Sequence, residues 1–218
     1  MILLFEEFVK KLSDEFNRKL PGFSAQKLMA PLGNRHPNTF LNKNKSPKKS
    51  AVLLLLYPAI NRKDIKTVFI LRPENESGSH AGQISFPGGG YDETDIDLSG
   101  TALREAEEEI GVQRKTVSLV GALTPLYIPV SNYMVHPFVG MSKEIPEFKI
   151  HPLEVQELFE CEIIELISEK NKGTILKHLK VINQEKAVPC YNINGKIIWG
   201  ATAMIISELS EIINRNKI

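Results

Sequence analysis

Residues 83–112 read QISFPGGGYDETDIDLSGTALREAEEEIGV, and the fold turns on this stretch. A strand-like run, Ile84 to Phe86, meets a turn, Pro87-Gly88-Gly89-Gly90. An acidic loop follows, and then a helix opening near Asp97 or Ser99 and stopping at Gly111. On a helix, positions three and four apart share a face, so Glu105, Glu108 and Glu109 point the same way. Three carboxylates on one face destabilise an isolated helix, and a divalent cation reverses that. Hard oxygen ligands suit Mg²⁺ or Mn²⁺. Arg104 precedes them and could orient one carboxylate by a two-pronged contact. In the turn, Pro87 fixes the backbone while the glycines allow positive φ and close approach. A carbonyl there could complete a coordination shell. Glu107 lies outside the shared face and is expected to face solvent. An EAEEE run on its own is an ordinary solvated helix surface; only the residues around it make it a candidate site.

Outward from this stretch, Ala51 to Tyr57 is a continuous apolar run and predicts a buried strand. Lys66 to Arg72 predicts a second strand, paired to the first as a hairpin. Downstream, Val117 to Leu126 and Tyr133 to Met141 read as strands. Residues 152–169 look helical near their start and end. Lys180 to Ala187 and Cys190 to Ile193 read as strands. From Trp199 to Ile213 the apolar residues fall at helical spacing, with Ala203, Ile206, Leu209 and Ile213 on one face. At the other end, Leu4, Phe5, Phe8, Val9, Leu12 and Phe16 form the apolar stripe of a helix expected to pack on the domain. Residues 31–50 read as an Asn-, Pro- and Lys-rich loop, whose Lys43, Lys45, Lys48 and Lys49 are solvated charges or a weak phosphate rim. The order predicts an α/β (α+β mixed) fold, a mixed sheet between helices. Residues 1–50 would be an N-terminal helix and loop extension, and residues 51–218 the main domain.

Composition excludes several classes. A formal net charge of +1 on 218 residues gives no global field for nucleic acid or membrane. The charge is nevertheless uneven: residues 74–109 hold ten Asp/Glu against one Arg. Cys161 and Cys190 have no metal-ligand spacing and read as thiols of a reducing, cytoplasmic compartment. The first residues lack the basic region and cleavage site of a signal peptide. No apolar run approaches the roughly 20 residues that span a bilayer.

The stretch resembles the Nudix box of pyrophosphate hydrolases, G-x5-E-x7-R-E-(aliphatic)-x-E-E-x-G-(aliphatic). Arg104, Glu105, Ala106, Glu108, Glu109, Gly111 and Val112 match position for position. The middle Glu of the pattern would fall at Ile96; counted from Gly89, five residues lead instead to Asp95, in a loop one residue longer. Gly82-Gln83, Phe86-Pro87-Gly88-Gly89 and the late Trp-Gly-x-Thr-Ala at Trp199 to Ala203 are similar to the coenzyme A pyrophosphatase branch. That branch carries an Arg-Ser pair and Leu-Arg-x-His-x-Gly-Gln. Here Pro73 follows Arg72, and Ser77-Gly78 stand in place of Leu-Arg before His80.

The resemblance implies a Nudix-like mixed sheet between helices and metal-dependent hydrolysis of a nucleoside diphosphate derivative, with coenzyme A or acyl-coenzyme A leading. ADP-ribose, a dinucleotide, a nucleoside triphosphate or a non-catalytic nucleotide-binding module are the alternatives. It implies Mg²⁺ or Mn²⁺ held by Glu105, Glu108, Glu109 and the Gly89 carbonyl, with Arg104, Glu105 and Glu108 serving catalysis. Asp95, Glu154, His80 and Arg72 are further candidates, His80 more as a local hydrogen-bonding residue. A small-molecule nucleotide partner is expected, without nucleic acid or membrane, and a homodimer is compatible with this reading.

Overall fold

The computed structural model describes residues 5–33, 37–41, 46–61, 63–74 and 80–215. Helix α1 (Phe5–Phe16) and the short α2 (Phe23–Gln26) precede β1 (Lys48–Pro58) and β2 (Ile65–Leu71). Two short strands, β3 (Ile84–Ser85) and β4 (Gly88–Gly90), lead to α3 (Leu98–Ile110). Strands β5 (Ser118–Ala122), β6 (Leu126–Ile128), β7 (Tyr133–Met141) and β8 (Glu157–Glu162) follow, then α4 (Ile163–Leu166). A separate antiparallel sheet of β9 (Lys172–Leu179), β10 (Gln184–Ile193) and β11 (Lys196–Trp199) feeds α5 (Gly200–Arg215).

β1 is the axis of the mixed sheet. Leu53 to Tyr57 are all fully buried, which only a strand covered on both faces allows. Alternate residues serve opposite faces. Leu53, Leu55 and Tyr57 pack with Ala102, Ala106 and Ile110 of α3. Leu54 and Leu56 pack into a second core with α1 and α5, through Phe8, Leu12, Ile206 and Leu209. Helices therefore lie on both faces of the sheet. β1 runs parallel to β7 from Lys48↔Tyr133 to Leu56↔Met141. The expected hairpin with β2 survives only at its tip, Tyr57↔Lys66 and Pro58↔Ile65, because the rest of β1 is taken by β7 and β4.

Several expectations shift. In residues 152–169 the expected helical start is instead a turn, residues 152–154, followed by strand β8, since Phe159 stacks on Phe69 of β2 (5.2 Å between rings) and Glu157 to Glu162 pair with β2; the expected helical end is α4. Such cross-strand packing outweighs helix propensity. Lys180 to Asn183 is a turn, and the strand before it, β9, has no counterpart in the sequence reading. β10 runs unbroken through Pro189, where burial of Val188, Cys190 and Tyr191 outweighs one lost backbone donor. The run from Val117 to Leu126 is divided between β5 and β6.

α1 buries Phe5, Phe8, Val9 and Leu12. α5 carries Glu208, fully buried. Its carboxylate accepts from Gly22 N–H, Gln26 Nε2, Thr124 N–H and Thr124 Oγ1 at 2.6–3.2 Å. Four donors satisfy a charge that apolar surroundings would otherwise penalise, and they tie α5 to α2 and to the β5–β6 loop. Among the described residues, no helix is long and apolar enough to cross a membrane. Lys43, Lys45 and Gly78 lie outside the described residues.

Candidate active site

The helix bearing the glutamates is fixed at both ends. Asp97 Oδ1 accepts from Gly100 N–H at 2.8 Å, an N-cap for α3. Gly111 ends it in the left-handed region (φ 74°), with its N–H on Glu107 O. Glu107 does not simply face solvent, as expected. It accepts from Arg114 N–H and Nε, and so holds the chain just beyond the helix.

The expected glycine turn is partly a strand. Gly88, Gly89 and Gly90 pair with Val52, Ala51 and Ser50 of β1. Glycine is required here. A Cβ on Gly88, whose φ is 152°, would collide with Ala51 O, and one on Gly89 would come within 2.5 Å of the Glu105 carboxylate. The bare backbone lets α3 lie directly against the strand. Gly88 N–H then donates to Glu109 Oε2 at 2.8 Å.

Arg104 gathers the acids. Its Nε and Nη2 grip the two oxygens of Asp95 at 2.8 and 3.0 Å. Nη1 donates to Glu105 Oε1 and Glu108 Oε2, and Nη2 also reaches Gly90 O. Asp95 further accepts from Thr101 Oγ1 and Asp92 N–H. The Arg104 contact holds its carboxyl well below the usual range. Ile96, where the box pattern has its acid, is 98% exposed. The extra loop residue therefore moves the acid to Asp95 while keeping a carboxylate on Arg104.

The glutamates differ in environment. Glu109 is only 3% exposed, and burial pushes its carboxyl up to about 8. The Gly88 N–H and the Arg72 charge oppose that rise; Glu105 and Glu154 add to it. Burial also raises Glu105, partly offset by Arg104. Glu108 is the most exposed of the three.

Glu154 is not at a helix start. It sits in a turn whose His151 N–H donates to Glu109 O at 2.8 Å, while Lys149 N–H donates to Ile110 O. Docking of that turn on the end of α3 brings Glu154 into the field of both Glu105 and Glu109. Its own near neighbour is His151 Nδ1, at 3.7 Å.

Gly88 to Gly90 and Arg72 line a cleft of about 910 Å³, toward the upper limit of ordinary ligand pockets. His80 lines it too, with Nδ1 3.2 Å from Gln83 Oε1 and Nε2 3.0 Å from Ser131 Oγ. Along the chain the acids are legible from their spacing. The lining from Lys177 to Val181 and at Trp199 is not, because nothing local in those residues ties them to the glycine strand.

Among the described residues, no three His, Cys, Asp or Glu side chains stand together as a ready metal cage. Glu105 and Glu108 are turned onto Arg104, and Glu109 onto Gly88 N–H. The donor chemistry nonetheless fits a hard divalent cation. Carboxylate oxygens and a glycine carbonyl are available, and two of the acids are raised by burial and by their neighbours' charge, a cost that a cation relieves.

A family model for the NUDIX domain matches residues 47–179. The uncharacterized Nudix hydrolase NudL of Yersinia pestis (strain Pestoides F) is 36% identical over 164 residues, 75% of this chain and 79% of the relative. The same figures hold for NudL of Yersinia pseudotuberculosis serotype O:1b (strain IP 31758). Among solved structures, the MutT protein from Methanosarcina mazei Go1 has a TM-score of 0.52 at 16% identity, covering 81% of this chain and all of that one. RenU, a Nudix hydrolase from M. smegmatis, has a TM-score of 0.50 at 14% identity, covering 80% and 94%. These structures bear on the fold alone. The chain belongs to the Nudix family. Within it, the chain is a hydrolase of pyrophosphate bonds in nucleotide derivatives, a class that generally needs a divalent cation such as Mg²⁺ or Mn²⁺.

Proposed function

We propose that this protein cleaves the diphosphate of coenzyme A or an acyl-coenzyme A, giving 3′,5′-ADP and 4′-phosphopantetheine or its acyl form. The observation that carries the reading is the cleft lined by the glycine strand, roomy enough for a nucleotide joined to a long second arm. The sequence flanking the box, Gly82-Gln83, Phe86 to Gly89 and Trp199 to Ala203, supports the same branch. Arg72, which lines the cleft and acts on Glu109, is suited to a phosphate oxygen.

Glu105, Glu108, Glu109 and the Gly89 carbonyl would hold Mg²⁺ or Mn²⁺. When bound, the cation neutralises charge that develops on the diphosphate oxygens. Glu105 accepts a proton from the attacking water; burial raises its proton affinity toward what a base at neutral pH needs. The water oxygen bonds to one phosphorus, and the bridging P–O bond breaks with its electrons going to the other phosphate. Arg104 holds Glu105 and Glu108 in place and is itself anchored by Asp95. Glu154 adds negative charge beside the glutamates and His80 positions the cleft wall. The domain organisation proposed with this is an extension, residues 1–50, resting on a hydrolase domain, residues 51–218. The two free, buried thiols suit a cytoplasmic setting.

The test is a panel of coenzyme A, acetyl-coenzyme A, ADP-ribose, diadenosine polyphosphates and nucleoside triphosphates with Mg²⁺ or Mn²⁺, with products identified by mass. Coenzyme A should give 3′,5′-ADP and 4′-phosphopantetheine. Turnover of another diphosphate but not coenzyme A would overturn the substrate assignment. No turnover of any would favour a nucleotide-binding module.

A further inference from the structure

Part of the cleft lining comes from the separate three-stranded sheet. Lys177 of β9, Lys180 in the β9–β10 turn and Trp199 at the end of β11 all line the cleft. Lys177 Nζ stands 5.3 Å from the centre of the Trp199 ring. Neither lysine is paired with a carboxylate among the described residues. Lys177 instead lies directly opposite Lys186 across the β9–β10 ladder, an arrangement of like charges that weakens a strand pair unless an anion offsets it. The nearby lining, Leu179, Val181 and Val130, is apolar.

A diphosphate beside the glycine strand would meet Arg72 and any cation held by the acids. That leaves Lys177 and Lys180, which belong to a different sheet, for a second anionic group. We propose that Lys177, Lys180 and Trp199 form a subsite for the nucleoside end of the substrate, and that it selects nucleotides bearing a second, ribose-linked phosphomonoester. Both lysines meet the monoester dianion, which as a point charge suits flexible ammonium groups. The indole offers a face to the base once Lys177 swings from the ring onto the phosphate; the cation–π contact that holds it is weak enough to give way. The inference rests on the coenzyme A reading and refines it to a particular group of that molecule.

Two measurements separate its failure from that of the parent reading. The first uses the full-length protein with chelator, so that no turnover is needed: calorimetric titration with 3′,5′-ADP and with 5′-AMP. The 3′,5′-ADP should bind at least about 10-fold tighter, and Lys177→Ala and Lys180→Ala should each remove most of that preference, as expected for one charge-assisted contact. Trp199→Leu should weaken both nucleotides alike. The second compares coenzyme A with dephospho-coenzyme A. Lys177→Ala should raise KM for coenzyme A about 10-fold at unchanged kcat and leave dephospho-coenzyme A unaltered. Equal affinity for the two nucleotides, or a preference that survives both lysine variants, overturns the subsite even if coenzyme A is a substrate. A failure to hydrolyse coenzyme A with the nucleotide preference intact overturns the parent reading and leaves the subsite standing.

Discussion

Glu109→Gln should separate stability from activity in opposite directions. In the folded, metal-free protein the Glu109 carboxyl is buried beside Glu105 and Glu154 and titrates at about 8, against about 4.5 in an unfolded chain. Below about pH 4.5 the group is protonated in both states and costs nothing. From there to about pH 8 the unfolded chain ionises while the folded one does not, so stability falls by about 1.4 kcal/mol per pH unit. Above about pH 8 both states are ionised and the loss levels off. By pH 7.5 the accumulated loss is about 4 kcal/mol, three units of the interval.

The amide that replaces the carboxyl in Glu109→Gln has no such titration. Its oxygen can still accept from Gly88 N–H, as Glu109 Oε2 does at 2.8 Å, while its NH₂ group is buried at a cost of about 1–2 kcal/mol. The net is a gain of about 2 kcal/mol at pH 7.5, which for a chain of this size raises Tm by about 5 °C. At pH 4.5 the variant should be level with the wild type or slightly below it. Thermal unfolding followed by circular dichroism, with chelator present, between pH 4.5 and 8.5 measures this directly. Adding Mg²⁺ should stabilise the wild type and do little for the variant, whose diphosphate hydrolysis should be almost abolished. A Tm difference that does not change with pH would refute the burial argument. A variant that retains turnover would remove Glu109 from the chemistry.

Gly89→Ala places a methyl group where the Glu105 carboxylate now lies, so kcat should fall about 100-fold with Tm changed by only a few degrees, as read by steady-state kinetics and calorimetry. Arg104→Lys loses the two-pronged grip on Asp95 and the bridge to Glu105 and Glu108; activity or metal affinity should drop about 10- to 100-fold, and Asp95→Asn should reproduce part of that drop in a metal titration. Glu208→Ala leaves four donors at the α5–α2 junction without their acceptor, and urea unfolding should show a loss of about 3 kcal/mol while kcat well below the transition stays near wild type.

The acidic site could be read along the chain because its determinants are local. Asp97, Arg104, Glu105, Glu108, Glu109 and Gly111 lie on one helix and its two caps, and helical geometry alone fixes their relation. The glycines beside them mark a strand whose bare backbone lies against that helix. The longer loop looks like a departure from the family's pattern. In three dimensions it is a shift of one residue, with Asp95 bonded to Arg104 and Ile96 turned out to solvent. Glu208 gives no sign of its role, since a lone acid in an apolar helix says nothing of donors 84 to 186 residues away.

The cleft lining from Lys177 to Val181 and at Trp199 is illegible for a related reason. β9 exposes Gly173, Thr174, Leu176 and His178, so its sequence has no apolar alternation to announce a strand. Its order comes from the ladder to β10, and through β10 from β11 and the start of α5. What brings Lys177 and Trp199 together is thus tertiary pairing, whereas what brings Glu105 and Glu109 together is a single turn of helix. Hydrolytic chemistry is accordingly written in one contiguous stretch, where a substitution is felt at once by its neighbours. The proposed subsite lies instead on a sheet whose strands do not pair with the one carrying the glycines. Substitution of Lys177 or Lys180 should therefore leave the contacts of Arg104 with its carboxylates in place.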